Sequence, residues 1–443
     1  MFHSPSSRTL RADHVSGLAR ARAGGLTRTF AGTVALALRG ALLAVLLTAC
    51  RVGGQGPSPA PLPRISAEAA SARGVDLATL QSRLDGAVRD AVRDGAFPGA
   101  IAVVGSKDGI LAMSSGGQLD ANDPSVPNER TIWDLASLTK VIGMTSAMER
   151  LVQGGKVDLE APVQRYLPDW TGPGKDQVRV RHLLTHSAGL PSWRPLYKEA
   201  TTPAQAMALV LATQLDTIPG ARMVYSDLGA ILLGEIVRRV SGAPLDVFVT
   251  REVFAPLGMR ETGWRPAPSL KPRIAPTEID PWRQRHLRGE VHDENAYALG
   301  GMTGHAGLFS TAADLTRLAR MYLGYGQLDG VRVLDSTTIA RFTSRPESSL
   351  SNRALGWEKP NGSNSAGHRM SPAAFGHTGF TGTSVWIDPG NDIFVILLTN
   401  RVNPTRENRK IGQVRIAVAD AVMGALQGCA AGASLLECPA GGR

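Results

Sequence analysis

Two pairs of short apolar runs, each folded about a tight turn, stand at opposite ends of the folded part of this chain and restrict its architecture. Residues 100–104 and 110–113 flank Lys107-Asp108-Gly109, and residues 383–387 and 393–398 flank Pro389-Gly390-Asn391-Asp392. Runs joined by so few residues pair antiparallel, because a parallel pair needs a long crossover. A charged helical pattern over residues 77–93, stopped by Gly95, precedes the first pair, and a final helix over residues 411–426 follows the second. Between them lie helical stretches. The order helix, hairpin, helical middle, hairpin, helix predicts an α+β fold: an antiparallel β-sheet flanked by helices, with an additional mainly helical lobe.

At 443 residues, 43% of them hydrophobic, the chain can bury a core of enzyme size. Its first segment reads as an export leader. Arginines 8, 11, 20, 22, 28 and 39 precede an apolar run at residues 41–47, and Leu47-Thr48-Ala49-Cys50 is similar to a lipobox. The reading is a signal peptide over 1–49, then lipid attachment at Cys50 and a Pro/Gly-rich tether over 50–76. A catalytic domain over 77–426 and a flexible tail over 427–443 complete it. An ordinary secretory signal with a chance cysteine is the alternative. The expected place is the cell envelope, with the lipid anchor as the membrane contact.

The net charge of +10 says less than it suggests, since six arginines and one aspartate lie in the first 50 residues. The rest is mildly basic without an aromatic-interleaved patch, so no nucleic-acid partner is expected. Cys429 and Cys438 in the tail could pair in an oxidising compartment or remain free thiols.

Three short motifs carry chemistry. Ser137-Leu138-Thr139-Lys140 opens an apolar helical pattern that runs to Gly154, so serine and lysine lie one turn apart on one face. A neutral lysine there would be a base for the hydroxyl, if burial or another cation lowers its pKa. Alone, the pair reads far more readily as a helix cap beside an exposed lysine. Tyr225-Ser226-Asp227 leads into a second amphipathic helix closed by Gly242. Its phenol could relay a proton while Asp227 positions the lysine or a substrate; a capping aspartate beside a packed tyrosine is the plain reading. Gly376-His377-Thr378-Gly379-Phe380-Thr381-Gly382 precedes the C-terminal hairpin, where glycines let a substrate approach main-chain N–H groups.

In this order, Ser137…Lys140, Tyr225…Asp227 and His377-Thr378-Gly379 resemble the three motifs of serine β-lactamases and penicillin-binding proteins, in the class C-like branch with tyrosine in the second. Arg181–Leu190, Pro256–Met259, Gly300–Thr311 and Gly382–Pro389 are also similar to this family. The resemblance spans roughly residues 78–425. It implies catalysis by Ser137, Lys140 and Tyr225 through an acyl-enzyme, with an oxyanion hole from the backbone N–H groups of Ser137 and Phe380. Asp227, His377, Thr378 and Gly379 would bind substrate, and neither metal nor organic cofactor is required. The implied partner is a small-molecule or peptidoglycan-derived acyl substrate: a D-amino-acid peptide, as for a D-alanyl carboxypeptidase, or a small ester.

Asp227 replaces the asparagine of the class C enzymes and His377 replaces their lysine, so the expectation is weak or no β-lactamase activity. A protonated His377 would bind a substrate carboxylate more tightly below about pH 6.5. Other readings were weighed. His182 and His186 are four apart but lack the H-E-x-x-H glutamate, so packing or loop bonding outranks a metal site. His292–Asn295 and His305 read as loops near the cleft. Thr185-His186-Ser187-Ala188-Gly189 has threonine where an α/β-hydrolase elbow needs glycine. A binding or sensor protein that holds β-lactams or peptidoglycan without turnover remains the alternative function.

Overall fold

The computed structural model describes residues 61–426. The leader, Cys50, Cys429 and Cys438 lie outside the described residues, so the readings of export, lipid attachment and tail pairing rest on sequence alone. No helix among the described residues is long and apolar enough to cross a membrane.

The two hairpins meet in one five-stranded antiparallel sheet. Its order is Phe375–Thr378, Ser384–Asp388, Ile393–Thr399, Gly99–Ser106, Gly109–Gly117, so the C-terminal hairpin closes onto the N-terminal one. Val103 faces Ile396 on one side and Met113 on the other. All eight residues of Gly99–Ser106 are buried, as expected for a strand covered on both faces.

The two-residue period of the strand sorts its side chains between two cores. Ala100, Ala102 and Val104 join Leu80, Leu84 and Val88 of helix Leu77–Arg93 and Val418 and Val422 of helix Ile411–Leu426. Ile101 and Val103 point the other way, into the core shared with Leu138, Val141, Leu315 and Tyr322. Leu77–Arg93 begins where Asp76 accepts the backbone N–H groups of Ala78 and Thr79. The helical lobe is centred on Asp227–Ser241, in which every residue from Leu228 to Val237 is buried. A helix buried on every side over ten residues, with Glu235 paired to Arg238 and Arg239, belongs in the middle of such a lobe.

Two sequence expectations need correction. The tether was placed up to residue 76, yet Ile65 N–H donates to the Ile110 carbonyl and Ile110 N–H to that of Pro63. Ser66 then caps a short helix, Ala67–Ser71. Leu62 and Ile65 have apolar surface to bury against the sheet, and this holds the segment down. The apolar pattern after Trp133 is also not one helix. Ile132–Asp134 is a strand paired with Leu308–Thr311, followed by a 3-10 turn, Ala136–Leu138, a π-helical stretch, Lys140–Thr145, and the α-helix Ser146–Gln153. Periodicity alone does not separate these helical forms, whose apolar faces overlap.

Candidate active site

Ser137 sits in the 3-10 turn, directly after a residue in an uncommon backbone state: Ala136 has φ of 45°. Asp134 holds it there, with Oδ1 accepting Ala136 N–H at 2.8 Å and Oδ2 accepting His292 N–H at 2.7 Å. The turn keeps the three-residue spacing useful. Lys140 Nζ lies 3.0 Å from Ser137 Oγ.

Lys140 is almost wholly buried, and its ammonium has three N–H groups to place. Three acceptors meet them: Ser137 Oγ at 3.0 Å, the His305 carbonyl at 3.1 Å and Asp227 Oδ1 at 2.7 Å. Burial pushes the amine toward neutrality, but the Asp227 carboxylate and then the Tyr225 phenol outweigh it and hold the pKa above the ordinary lysine value. The neutral lysine base expected from the sequence is therefore not the resting state. Asp227 meets the lysine, as one sequence reading had it, and the pairing keeps the amine charged rather than neutral.

Asp227 opens its helix one residue after the cap Ser226, whose hydroxyl accepts Gly229 N–H and donates to the Pro191 carbonyl. Tyr225 precedes the helix, with its ring centroid 5.0 Å from Lys140 Nζ. The His186 ring lies 4.5 Å away on the same phenol, and His186 Nδ1 accepts Ser226 N–H at 3.1 Å. That bond makes His186 a neutral acceptor, and burial keeps its pKa well below the usual histidine value. Loop bonding was the sequence reading of this residue. Its place against Tyr225 was not foreseen.

The third motif is latched onto the first. Thr381 Oγ1 donates to the Asp134 carbonyl at 2.7 Å and Thr383 Oγ1 to that of Leu135 at 3.1 Å. A side chain at Gly379 would run into the Leu135 carbonyl and the Thr383 hydroxyl, so only glycine permits this approach. Phe380 follows at the turn, 48% exposed.

His377 ends buried, its ring 5.9 Å from Tyr225. Its Nδ1 lies 2.8 Å from the Thr378 carbonyl and so carries the ring proton, which leaves Nε2 a buried acceptor with no hydrogen-bond partner. Burial foremost, with Arg353 and Lys140 nearby, drives its pKa well below 6.5. This corrects the expectation of a protonated His377 as the carboxylate anchor.

The cation is Arg353, which sequence reasoning did not single out. Its guanidinium stands 5.2 Å from the Tyr225 ring centroid and is 8% exposed. Its Nε and Nη1 groups have no hydrogen-bond partner, and Nη2 reaches Glu358 only at 3.7 Å. Two buried guanidinium nitrogens without a partner, against the Tyr225 ring, are a candidate anchor for an anionic group. No periodicity or motif marks this arginine, 24 residues before His377.

The remaining histidines support the frame. His305 Nε2 pairs with Asp293 at 3.0 Å, and His305 holds Asp293 far below the usual carboxylate range although burial opposes this. His292 Nε2 lies 3.0 Å from Glu278. His182 Nδ1 accepts Arg179 N–H at 3.2 Å. Among the described residues, no group of three His, Cys, Asp or Glu side chains is arranged to hold a metal ion.

The β-lactamase family profile matches residues 84–420, across both hairpins, the lobe and all three motifs. The chain belongs to the β-lactamase family. A putative D-alanyl-D-alanine carboxypeptidase of Salmonella agona is 32% identical over 369 residues, covering 74% of this chain and 84% of that protein. An N-acetylmuramyl-L-alanine amidase of Bacillus subtilis is 36% identical over 347 residues, covering 69% and 77%. Among solved structures, EstCE1, a hydrolase with promiscuous acyltransferase activity, superposes with a TM-score of 0.65 at 22% identity, covering 79% of this chain and 99% of that one. A penicillin-binding protein homologue from Caulobacter crescentus gives 0.65 at 19%, covering 78% and 97%. These two structures establish the shared fold. This β-lactamase-family serine hydrolase thus has sequence relatives with carboxypeptidase and amidase names, and the α+β architecture read from the sequence is the family's own.

Proposed function

We propose that this enzyme hydrolyses an amide bond in a peptidoglycan-derived peptide bearing a carboxylate, through an acyl-enzyme on Ser137. The observation that carries the reading is the Ser137–Lys140 pair with the Tyr225 ring beside it, against which the unpaired Arg353 guanidinium also lies. Ser137 Oγ attacks the acyl carbon while its proton passes to the Tyr225 oxygen, which acts as the phenolate base beside the Lys140 ammonium. Lys140, kept as an ammonium, orients the hydroxyl and stabilises the charge that develops. The N–H groups of Ser137 and Phe380 receive the oxyanion. Tyr225 returns the proton to the leaving amine, the C–N bond breaks, and water then cleaves the ester to free Ser137.

The two sequence relatives act, by name, on a D-alanyl-D-alanine bond and on an N-acetylmuramyl-L-alanine bond. Both are cell-wall amides, which agrees with the export leader and the proposed lipid anchor at Cys50. Small esters fit the same machinery as faster-leaving acyl donors. With Asp227 paired to Lys140 and His377 neutral, β-lactam turnover is proposed to be weak.

The test is product release from a D-alanyl-D-alanine peptide, an N-acetylmuramyl-L-alanyl peptide, a p-nitrophenyl ester and a chromogenic cephalosporin, with Ser137→Ala alongside. Ser137-dependent release from either amide supports the reading. Stable Ser137 acylation without release from any substrate would establish the binding or sensor function instead.

A further inference from the structure

Four aromatic side chains, from segments that frame the active site, form a continuous strip. Trp193 is 47% exposed, Trp282 41% and Tyr297 40%. Ring centroids run Trp193 to Tyr197 at 6.3 Å, Tyr197 to Trp282 at 4.8 Å and Trp282 to Tyr297 at 5.9 Å. A soluble enzyme has no folding reason to hold two indoles and a phenol in water, so a linked group of them marks a binding surface.

The strip is wired to the catalytic residues. Trp193 follows Ser192, whose carbonyl accepts the Asp227 N–H at 3.0 Å. Tyr197 N–H donates to Asn295 Oδ1, two residues from the Asp293 that pairs with His305. Arg283, next to Trp282, donates to the His292 carbonyl at 2.6 Å, and His292 N–H is bound by Asp134 beneath Ser137. The rings are also set in place before any ligand arrives. The buried Arg283 guanidinium lies 5.1 Å from the Tyr297 centroid and is fixed by Asp280 and Glu290.

Charge then selects the ligand. Arg283 pairs with Asp280, Arg285 with Glu290 and Arg194 with Glu199, so most of the charge along the strip is neutralised, with Lys198 over the Tyr197 ring as the exception. A polyphosphate chain gains little there. A neutral molecule with flat C–H faces and many hydroxyl or amide groups gains both ring stacking and hydrogen bonds. A cleft of about 550 Å³ opens beside Tyr297, lined also by Thr201, Arg265, Glu290 and Gly300, and is of ligand size.

We infer that Trp193, Tyr197, Trp282 and Tyr297 form a sugar-stacking platform, and that the natural acyl donor carries an N-acetylated amino sugar rather than being a bare peptide. This rests on the peptidoglycan reading above and deepens it by naming the part of the substrate that lies outside the reacting bond.

The test is tryptophan-fluorescence titration of the full-length Ser137→Ala protein with N-acetylmuramyl-L-alanyl-D-isoglutamine and with the same dipeptide lacking the sugar. The sugar is expected to tighten binding roughly tenfold, the worth of one good ring contact. Trp193→Ala and Trp282→Ala, on separate loops, should each bring the ratio of the two dissociation constants close to one. The ratio is taken within each protein, so a partly misfolded variant does not mimic the effect. Equal affinity for the two ligands, no binding of either, or a ratio that survives both substitutions would overturn the platform. Binding is read without turnover, so failure of the hydrolase reading shows separately, as loss of Ser137-dependent ester cleavage in the wild type.

Discussion

Replacing Asp227 by asparagine separates the two possible roles of Lys140. The carboxylate lies 2.7 Å from a lysine whose side chain is 1% exposed, and is itself only 19% exposed. At an effective dielectric of about 20, unit charges at that distance attract by roughly 6 kcal/mol, part of which offsets desolvation. Removing one partner of such a pair typically costs about 3–5 kcal/mol, equivalent to roughly two to four pKa units on the group left behind. In the wild type the Lys140 pKa stands above its unfolded value, so its stabilisation is complete at pH 7 and is lost only as the pH rises through the folded value. In Asp227→Asn the largest opponent of burial is gone while Tyr225 and the Ser137 and His305 acceptors remain, so the Lys140 pKa should fall well below its wild-type value. The assay is kcat/KM for a p-nitrophenyl ester from pH 5.5 to 9.5, corrected for buffer hydrolysis. Because the ammonium is the working form, the variant should lose activity with rising pH inside this window, at a lower pH than any lysine-dependent fall of the wild type. A rise over the same window would show that the neutral amine is the base and refute the charged-lysine account.

Further outcomes follow from neighbouring groups. Arg353→Gln should raise KM for carboxylate-bearing donors by roughly 10- to 100-fold, the worth of a charge-assisted hydrogen bond, while neutral esters change little; equal losses on both would assign Arg353 a structural role. Because His377 is buried and neutral, KM for an anionic donor should stay flat from pH 8 down to 5, and a tightening below pH 6.5 would contradict that placement. Gly379→Ala should cost about 1–3 kcal/mol and most of the ester turnover, as read by thermal unfolding and kinetics, because its Cβ meets the Leu135 carbonyl. Glu149 is buried against Tyr322, and burial lifts its pKa to about 8. Its carboxyl is therefore held protonated, so stability declines as the pH rises from the unfolded carboxyl value toward 8, and Glu149→Gln should flatten the melting temperature over that range. An unchanged slope would remove Glu149 as its source.

The frame was legible in the sequence where local rules coincide with tertiary packing. The charged helical pattern over residues 77–93 and the stop at Gly95 placed the first helix, which the structure shows capped by Asp76 and buried through Leu80, Leu84 and Val88. Turn chemistry at Lys107-Asp108 and Pro389–Asp392 placed both hairpins. Family likeness supplied the order of the motifs. What stayed hidden depends on contacts distant in sequence. The charge of Lys140 is set by Asp227, 87 residues away in the sequence, and the state of His377 by burial and Arg353. Arg353 itself lies in an irregular stretch and is marked only by what surrounds it in space. Residues 62–71 were read as tether from their proline content, which carries no information about the sheet edge they lie on.

Intact-protein mass spectrometry tests the central claim most directly: wild type and Ser137→Ala are exposed to a fluorescent penicillin and to a p-nitrophenyl ester, with product release followed in parallel. The account predicts an adduct of acyl mass on the wild type, located to the peptide containing Ser137 and absent from the variant, with the ester-derived adduct turning over. An adduct that persists in Ser137→Ala, or release that does not depend on Ser137, would contradict it.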